Sequence, residues 1–163
     1  LMSPARRLAL ELFVASPAVV GTALLSQYVG GLVPCELCLY QRWPWYATAA
    51  LMLVVLLAGG GRAAAPVAGL AGLILLAGAG LAFYHVGVEQ RWFAGPTACS
   101  GASAADSVEA LKAQIMGTAP VRCDEVAWSL FGISMAGWNF IASLLVAAWA
   151  FFGAARLRRS ARA

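Results

Sequence analysis

Two cysteines with the spacing of a reactive thiol pair lie in a short polar interruption between two apolar runs. They are Cys35 and Cys38, preceded by Pro34 and followed by Arg42. Proline suits the first turn of a helix, so both sulfurs are predicted to lie in an opening turn, near the positive end of the helix dipole. If the turn continues, Arg42 lies on the same face as both sulfurs. Because such surroundings lower the pKa of a thiol, the spacing predicts a redox-active thiol pair.

A zinc site is the main chemical alternative for two cysteines separated by two residues. Structural zinc normally takes a second close-spaced pair of cysteines or histidines to complete a tetrahedron. The remaining cysteines, Cys99 and Cys123, are far apart, and His85 is the only histidine. The sequence therefore favours redox chemistry over metal binding and predicts no metal site.

Cys99 and Cys123 form a second candidate pair, for which two interpretations stay open. A disulfide closing a loop of this length would stabilise the fold by roughly 3 kcal/mol in the chain-entropy model, as a structural staple would. Glycine, serine and threonine nearby equally suit an exposed disulfide that exchanges with other thiols. His85 is also a candidate, because it is the only group able to shuttle a proton near neutral pH, although a lone histidine near an interface is usually only a satisfied polar group.

The composition is that of a membrane protein, since hydrophobic residues make up 62% of the chain and charged residues only 11%. A helix needs about 20 apolar residues to cross the hydrocarbon core; three apolar runs reach that length and the second is shorter. We expect one all-α membrane domain over residues 1–163, built as a bundle of four transmembrane helices. The spans are predicted at about residues 12–32, 43–60, 66–88 and 128–152.

The positions of the arginines predict an orientation for this bundle. Most of them flank the N-terminus, the middle hairpin and the C-terminal tail, which the positive-inside rule assigns to the cytoplasm. The loops at about residues 33–42 and 89–127 hold most of the acidic residues and are expected on the opposite side. All four cysteines would then face an oxidising compartment, where two disulfides are the expected resting state. The basic tail is predicted to lie at anionic lipid headgroups, and the charge pattern does not suggest nucleic-acid binding.

The second outer loop contains a helical pattern between its two cysteines. Apolar residues recur there at steps of three, four and one, with charged residues on the other faces. This indicates a short amphipathic helix that either lies on the membrane surface or packs on the bundle as a lid. Its apolar positions are Val108, Leu111, Ile115 and Met116.

An aromatic cluster follows the first cysteine pair. Trp43 and Trp45 either mark the headgroup level of the membrane or line the pocket of a flat aromatic ligand. Pro44 between them cannot donate a backbone hydrogen bond and is expected to kink or restart the helix. Such a break would leave room beside Cys38 and Arg42.

Together these features closely resemble the DsbB family of bacterial disulfide bond formation proteins, over essentially the whole chain. The resemblance rests on the four apolar spans and three short motifs, which are specific only in combination. The motifs are Pro34-Cys35-Glu36-Leu37-Cys38 with Tyr40 and Arg42, Tyr84-His85 at the end of the third span, and Pro96-Thr97-Ala98-Cys99 with Cys123 further along.

The resemblance implies a membrane thiol:quinone oxidoreductase that sustains protein disulfide bond formation. Cys99, paired with Cys123, would exchange with a periplasmic thioredoxin-fold thiol oxidase similar to DsbA. Cys35 would then re-form that bond, and Cys38 beside Arg42 would pass the electrons to ubiquinone or menaquinone. The partners implied are therefore this oxidase, the quinone pool and the lipid bilayer.

The resemblance also implies a location and a set of quinone contacts. The protein would be a multi-pass protein of the bacterial inner membrane with both termini in the cytoplasm. Cys38, Arg42 and His85 would lie at the quinone. Gln41 departs from the acidic residue that many relatives carry, and we expect little consequence from that change.

Two other functions compete with this one. Enzymes of the vitamin K epoxide reductase type also combine four membrane helices, thiols and quinones, but their active cysteine pair typically lies at the outer end of a late span, whereas Cys35 and Cys38 follow the first. A non-catalytic membrane subunit could instead use two disulfides only to brace its outer loops. Sulfur reactivity separates these functions, because structural disulfides resist mild reductants.

Overall fold

Four main helices, a one-turn helix and a small hairpin make up the part of the computed structural model that is described, which covers residues 2–96, 108–109, 112, 116 and 121–162. The elements, in chain order, are α1 (Pro4–Tyr28), α2 (Glu36–Tyr40), α3 (Trp43–Leu57), α4 (Ala64–Glu89), β1 (Ser129–Leu130), β2 (Ile133–Ser134) and α5 (Met135–Ser160). Cys99 and most of the predicted amphipathic helix lie outside the described residues.

The lengths of the helices confirm the predicted all-α membrane architecture and reduce the number of candidate spans. Among the described residues, α1, α4 and α5 are long and apolar enough to cross a membrane. Helix α3 has 15 residues, a length of about 22 Å against a hydrocarbon core of about 30 Å. The described part of the chain therefore contains three candidate membrane spans, whereas the sequence predicted four.

Helix termini differ from the predicted spans because capping residues set them. Helix α1 begins eight residues before the predicted start at residue 12, since the Ser3 hydroxyl accepts from the Arg6 backbone N–H at 3.3 Å and Pro4 follows the cap. Helix α5 begins at Met135, after the cap Ser134, and not near residue 128 as predicted. Hydropathy marks the apolar stretch, whereas a side-chain acceptor decides where the first turn can start.

The residues before α5 form a tight hairpin that replaces the predicted first turns of the last span. Strands β1 and β2 are antiparallel, with Leu130 opposite Ile133. Between them Phe131 has φ 53° and Gly132 has φ 76°, and two successive positive φ values are typical of a two-residue hairpin turn. The hairpin holds the start of α5 close to the outer end of α4, through the bond from Ser134 to Glu89.

The four main helices run antiparallel, which follows from the clusters of buried residues at their ends. One cluster joins the beginnings of α1 and α4 to the ends of α3 and α5; its members include Leu8, Leu12, Met52, Val55, Ala68 and Ala154. A second cluster at the opposite end contains Cys35, Leu37, Val88 and Cys123. The bundle therefore collects Cys35, Cys38 and Cys123 at one end and brings Arg6 and Arg158 to the other.

The break at Pro44 is confirmed, because α3 starts at Trp43 with this proline in its first turn. Its ring packs into a notch in α4 at Gly78, where an added Cβ would lie 2.8 Å from the proline Cγ. Glycine is therefore required on α4 for this close approach. The contact fixes the beginning of α3, which follows Arg42 and carries Trp45, against α4.

Candidate active site

Cys35 lies at the cap of α2, one position outside the helix, so the predicted placement of both cysteines within the opening turn is only partly right. Its backbone is extended, and its Sγ accepts from the Cys38 backbone N–H at 3.4 Å. Pro34 precedes the cap and is not part of the helix. Helix α2 ends at Tyr40, and Arg42 instead caps α3. Two short consecutive helices, and not one continuous helix face, thus position the pair and the arginine.

The first cysteine pair is a dithiol in this structure, whereas the sequence led us to expect a resting disulfide. Both residues are free, and the two Sγ atoms lie 3.2 Å apart, within hydrogen-bonding range for sulfur. Cys35 is buried and Cys38 is partly exposed. The site therefore holds two interacting thiol groups at the outer end of the bundle.

The two thiols have opposite acidities. The hydrogen bond from Cys38, assisted by His85 and opposed by burial, lowers the pKa of Cys35 from 9.0 to about 4. The hydrogen bond to Cys35, burial and the neighbouring negative charge raise the pKa of Cys38. The negative charge therefore resides on Cys35, while Cys38 keeps its proton and donates it to the thiolate. The sequence predicted a lowered thiol pKa for the pair, and in the dithiol only Cys35 has one.

His85 lies beside the thiol pair, at the level that an antiparallel bundle predicts. It is buried on α4, and its Nε2 lies 3.6 Å from the Cys35 Sγ. The carboxylate of Glu89, one turn further along, has Oε1 4.0 Å from the same nitrogen and is held by the Ser134 hydroxyl at 2.5 Å. The only histidine of the chain thus faces a sulfur and a carboxylate, both of which can accept a hydrogen bond from it.

On the Nδ1 side of His85, the site contains two amide side chains, Gln41 and Asn139, that the sequence did not assign to it. Gln41 Nε2 lies 2.6 Å from His85 Nδ1, and Asn139 Nδ2 donates to Gln41 Oε1 at 2.7 Å. Trp45 Nε1 in turn donates to Asn139 Oδ1 at 2.9 Å. An asparagine within an apolar span commonly bonds a neighbouring helix, and here Asn139 on α5 bonds Trp45 on α3. Only the fold shows that the bond leads to the histidine.

Arg42 lies on the wall of a cavity between the outer ends of α1, α3 and α5. The cavity has a volume of about 300 Å³ and is lined mainly by apolar side chains, together with Cys38 and Gln27. Arg42 Nη2 donates to Gln27 Oε1 at 2.8 Å. Its Nε is buried and has no hydrogen-bond partner among the described residues. The cavity therefore combines a thiol, a cation and an apolar lining.

The tryptophans of the predicted aromatic cluster differ in their surroundings. Trp45 is almost completely buried and lines the cavity, whereas Trp43 is 66% exposed and packs edge-on against Tyr46. The two proposed roles thus divide between them, since Trp45 occupies a pocket wall and Trp43 an outward position typical of the membrane interface.

The second cysteine pair is described only in part. Cys123 is disulfide-bonded and fully buried, in the same cluster as Cys35 and Leu37. Its neighbour Arg122 turns outward and makes two hydrogen bonds to Asp124, at 2.9 and 2.6 Å. The fold thus brings one member of the second pair to the first pair, although 84 or more residues separate them in the chain.

The fold also creates a group that could hold a metal ion, which the sequence did not predict. The ligand atoms of Cys35, Cys38 and His85 all lie within 4.8 Å of one another. Two thiols and an imidazole are ligands that zinc accepts. We had set zinc aside because the sequence offers no second close-spaced pair, and the tertiary structure supplies His85 as a third group. Whether its nitrogen is free to bind a metal depends on the position of its proton.

Comparisons with known proteins agree with these features. The family model for disulfide bond formation protein DsbB matches residues 5–153. Proteins named disulfide bond formation protein B are similar over nearly the whole chain: that of Aromatoleum aromaticum is 31% identical over 163 residues, covering 94% of both chains, and that of Azoarcus sp. is 31% identical over 160 residues, covering 91% of this chain and 93% of the relative. That of Xanthomonas axonopodis pv. citri is 30% identical over 155 residues, covering 91% and 89%.

No solved structure matches the chain significantly. A family match over residues 5–153 nevertheless takes in both cysteine pairs, the histidine and most of each candidate span. The chain therefore belongs to the DsbB family of disulfide bond formation proteins, which are thiol-disulfide oxidoreductases.

Proposed function

We propose that this protein is a membrane thiol:quinone oxidoreductase that reoxidises a periplasmic, DsbA-like disulfide donor and passes the electrons to ubiquinone or menaquinone. The observation that carries the proposal is the position of Cys38. This thiol is hydrogen-bonded to Cys35 on one side and lines the apolar cavity with Arg42 on the other. A sulfur in this position can exchange electrons with a second thiol and with a ligand dissolved in the bilayer.

The cavity suits a quinone in its lining and its polar groups. Its apolar walls match a flat, apolar ring, and Trp45 contributes an aromatic surface. The buried Nε of Arg42, which has no partner among the described residues, matches a carbonyl oxygen. Bound there, a quinone would supply a two-electron acceptor. Arg42 would hold the ring oxygen near Cys38 and stabilise the negative charge that develops on it.

The proposed relay transfers two electrons and two protons in each cycle. In the first step, the two thiols of the reduced partner exchange with the Cys99–Cys123 disulfide. The partner leaves with a disulfide, and Cys99 and Cys123 become thiols. These thiols then exchange with the Cys35–Cys38 disulfide, which becomes a dithiol while the second disulfide re-forms. Finally the Cys35–Cys38 dithiol is oxidised back to a disulfide, and its two electrons and two protons convert the quinone to the hydroquinone.

The redox state of the structure corresponds to one point in that cycle. Cys123 is in a disulfide while Cys35 and Cys38 are thiols, as expected after internal exchange and before quinone reduction. Cys35 would be the sulfur that the second pair attacks, and its low pKa would favour its release as a thiolate when the second disulfide re-forms. Cys38, at the cavity, would be the sulfur that faces the quinone. The two different acidities thus fit two different tasks.

The proposed location is the bacterial inner membrane, with both termini in the cytoplasm. Supporting this, the bundle places Arg6, Arg62 and the arginines that end α5 away from the cysteines. This end would be cytoplasmic under the positive-inside rule. Helix α3, preceded by the turns of α2, would complete a fourth crossing next to the three candidate spans.

Quinone reduction by purified protein in detergent tests the proposal. The ultraviolet absorbance of ubiquinone or menaquinone is followed in the presence of a reduced thioredoxin-fold oxidase. We expect quinone loss that requires both the partner and Cys38, so Cys38→Ala should abolish it. Absence of quinone loss with either quinone, while both disulfides stay resistant to mild reductants, would identify the cysteines as structural braces.

A second measurement isolates the role of Arg42. Because a hydrogen bond to a charged group contributes about 1.5–3 kcal/mol, Arg42→Ala should raise the KM for quinone about tenfold or more. The disulfides should remain intact. Arg42→Lys is the matched control, since it keeps the charge but loses the planar set of donors. Its KM for quinone should lie between those of the wild-type protein and Arg42→Ala. An unchanged KM in Arg42→Ala would contradict this role.

A further inference from the structure

A chain of four polar side chains connects α3, α5, α2 and α4 through the centre of the site. It runs from the indole N–H of Trp45 to Asn139, then to Gln41, and ends at Nδ1 of His85. The links measure 2.9, 2.7 and 2.6 Å. Trp45, Gln41 and His85 are each buried to 95% or more. The link to His85 is buried and the other two are partly buried, so these polar groups depend largely on one another for hydrogen bonds.

The donor at one end of the chain determines the proton position at the other. An indole N–H can only donate, so the Asn139 atom that faces Trp45 must be its oxygen. The Asn139 amide nitrogen then points to Gln41 and donates to its oxygen. The Gln41 amide nitrogen consequently faces His85 Nδ1, which must be an unprotonated acceptor. A neutral imidazole with Nδ1 unprotonated carries its proton on Nε2.

The surroundings of the other ring nitrogen lead to the same tautomer independently. Nε2 faces the Cys35 Sγ at 3.6 Å and the Glu89 carboxylate at 4.0 Å. The Ser134 hydroxyl donates to Glu89 and so leaves that carboxylate as an acceptor toward the histidine. Among the described residues, the ionisable groups that face Nε2 are these two and Cys38 behind the first sulfur. A protonated Nε2 therefore meets two acceptors, the Cys35 thiolate and the Glu89 carboxylate, whereas an unprotonated Nε2 could accept only from a Cys35 S–H and would leave the carboxylate without this donor.

We propose that Gln41, oriented by Asn139 and Trp45, is a positioning residue that fixes His85 with its proton on Nε2, so that the histidine donates a hydrogen bond to Cys35. The inference rests on the proposed function only for the use of that bond, which is to stabilise Cys35 as the thiolate released when the second disulfide re-forms. Gln41 is the position at which we expected little consequence from the loss of an acid. A carboxylate there would accept a hydrogen bond from Nδ1–H and leave the Nε2 lone pair free.

The tautomer also decides how the group formed by Cys35, Cys38 and His85 behaves toward metals. A metal-bound histidine needs an unprotonated nitrogen toward the metal and usually donates from the other nitrogen. In this chain both conditions are reversed, since Nδ1 accepts and Nε2 carries the proton. The members of this group are thus arranged to hydrogen-bond with one another. We expect the group to bind zinc more weakly than two thiols and an imidazole with a free nitrogen at the same distances would.

Nitrogen NMR of the reduced protein tests the tautomer directly. His85 is the only histidine, so protein labelled with ¹⁵N-histidine, purified without a histidine tag, gives signals from one ring. At neutral pH we expect Nε2 to be protonated and Nδ1 unprotonated. Asn139→Asp is the decisive variant, because an aspartate accepts from both Trp45 and Gln41 and turns the Gln41 oxygen toward the ring. The proton should then move to Nδ1.

Gln41→Glu gives a second route to the same result and includes a metal readout. A glutamate accepts from Nδ1–H and frees Nε2, so zinc affinity measured by competition with a chelator should rise about 10- to 100-fold. A wild-type ring with the proton on Nδ1 or on both nitrogens would overturn the inference. So would an unchanged tautomer in both folded variants.

The tautomer test and the test of the proposed function fail separately. If quinone is not reduced but the NMR result holds, the relay is wrong and the positioning by Gln41 stands. If the relay operates but the proton lies on Nδ1, the positioning is wrong and the relay stands.

Discussion

The acidity of Cys35 gives the most direct quantitative test of the site. Its thiol is expected to titrate at a pKa of about 4, against an ordinary value of 9.0, with the Cys38 hydrogen bond as the largest cause. In the reduced protein, one thiolate should therefore be present at neutral pH and disappear only as the pH falls through about 4. The Cys38 thiol should not contribute in this range, since its pKa is raised.

Cys38→Ala removes the principal cause and should shift the titration by a calculable amount. A hydrogen bond to a charged group contributes about 1.5–3 kcal/mol, and one pKa unit corresponds to about 1.36 kcal/mol. The midpoint for Cys35 should therefore rise by about one to two pH units. The shift is upward because the variant loses a donor that favours the charged form, while burial and the His85 contact remain.

The assay follows the ultraviolet absorbance of the thiolate between acid and neutral pH. A background with Cys99→Ala and Cys123→Ala leaves only the first pair to titrate. Cys35→Ser in this background is the control, and it should lose the low-pH thiolate signal. A parent midpoint near 9.0, or a Cys38→Ala midpoint equal to that of the parent, would refute the reasoning.

Two further predictions concern the structure that supports the site. Ser134→Ala should lower the free energy of unfolding by about 2 kcal/mol, because the hydroxyl accepts from the Gly137 N–H at the start of α5 and donates to Glu89. Ser134→Thr keeps the hydroxyl and should recover most of the lost stability, measured by thermal unfolding. Equal melting temperatures for Ser134→Ala and the wild-type protein would count against these bonds. Gly87→Ala should destabilise the fold by about 1 kcal/mol, because its Cβ would clash with Phe93, which stacks on Tyr84. Gly80→Ala on the same helix has open space and should be neutral or stabilising, so similar losses in both variants would show that the clash is not the cause.

The sequence alone was sufficient to predict an all-α membrane protein and to single out Cys35 and Cys38 as candidate reactive sulfurs. Hydropathy is a property of local composition, so the apolar runs predicted the helices α1, α4 and α5 that are candidate spans. The spacing of Cys35 and Cys38 is also local, and one helical turn necessarily brings the two sulfurs together. Helix ends were less predictable. The span expected from residue 128 begins at Met135, because a hairpin and the Ser134 cap outweigh the apolar composition there.

The division of labour within the site was decided by the tertiary structure. The sequence placed His85 near the cysteines without indicating which nitrogen faces the sulfur, and it gave no reason to connect Gln41 with Asn139, 98 residues away. Hydrogen bonds have direction, and their donors and acceptors are assigned only when the partners are in place. Packing of α3 and α5 around the histidine supplied those partners, and it also left Cys38 at the cavity while burying Cys35. Residue types therefore determined that thiol chemistry is possible here, whereas the long-range contacts of the fold decided which sulfur carries the charge and which one faces the cavity.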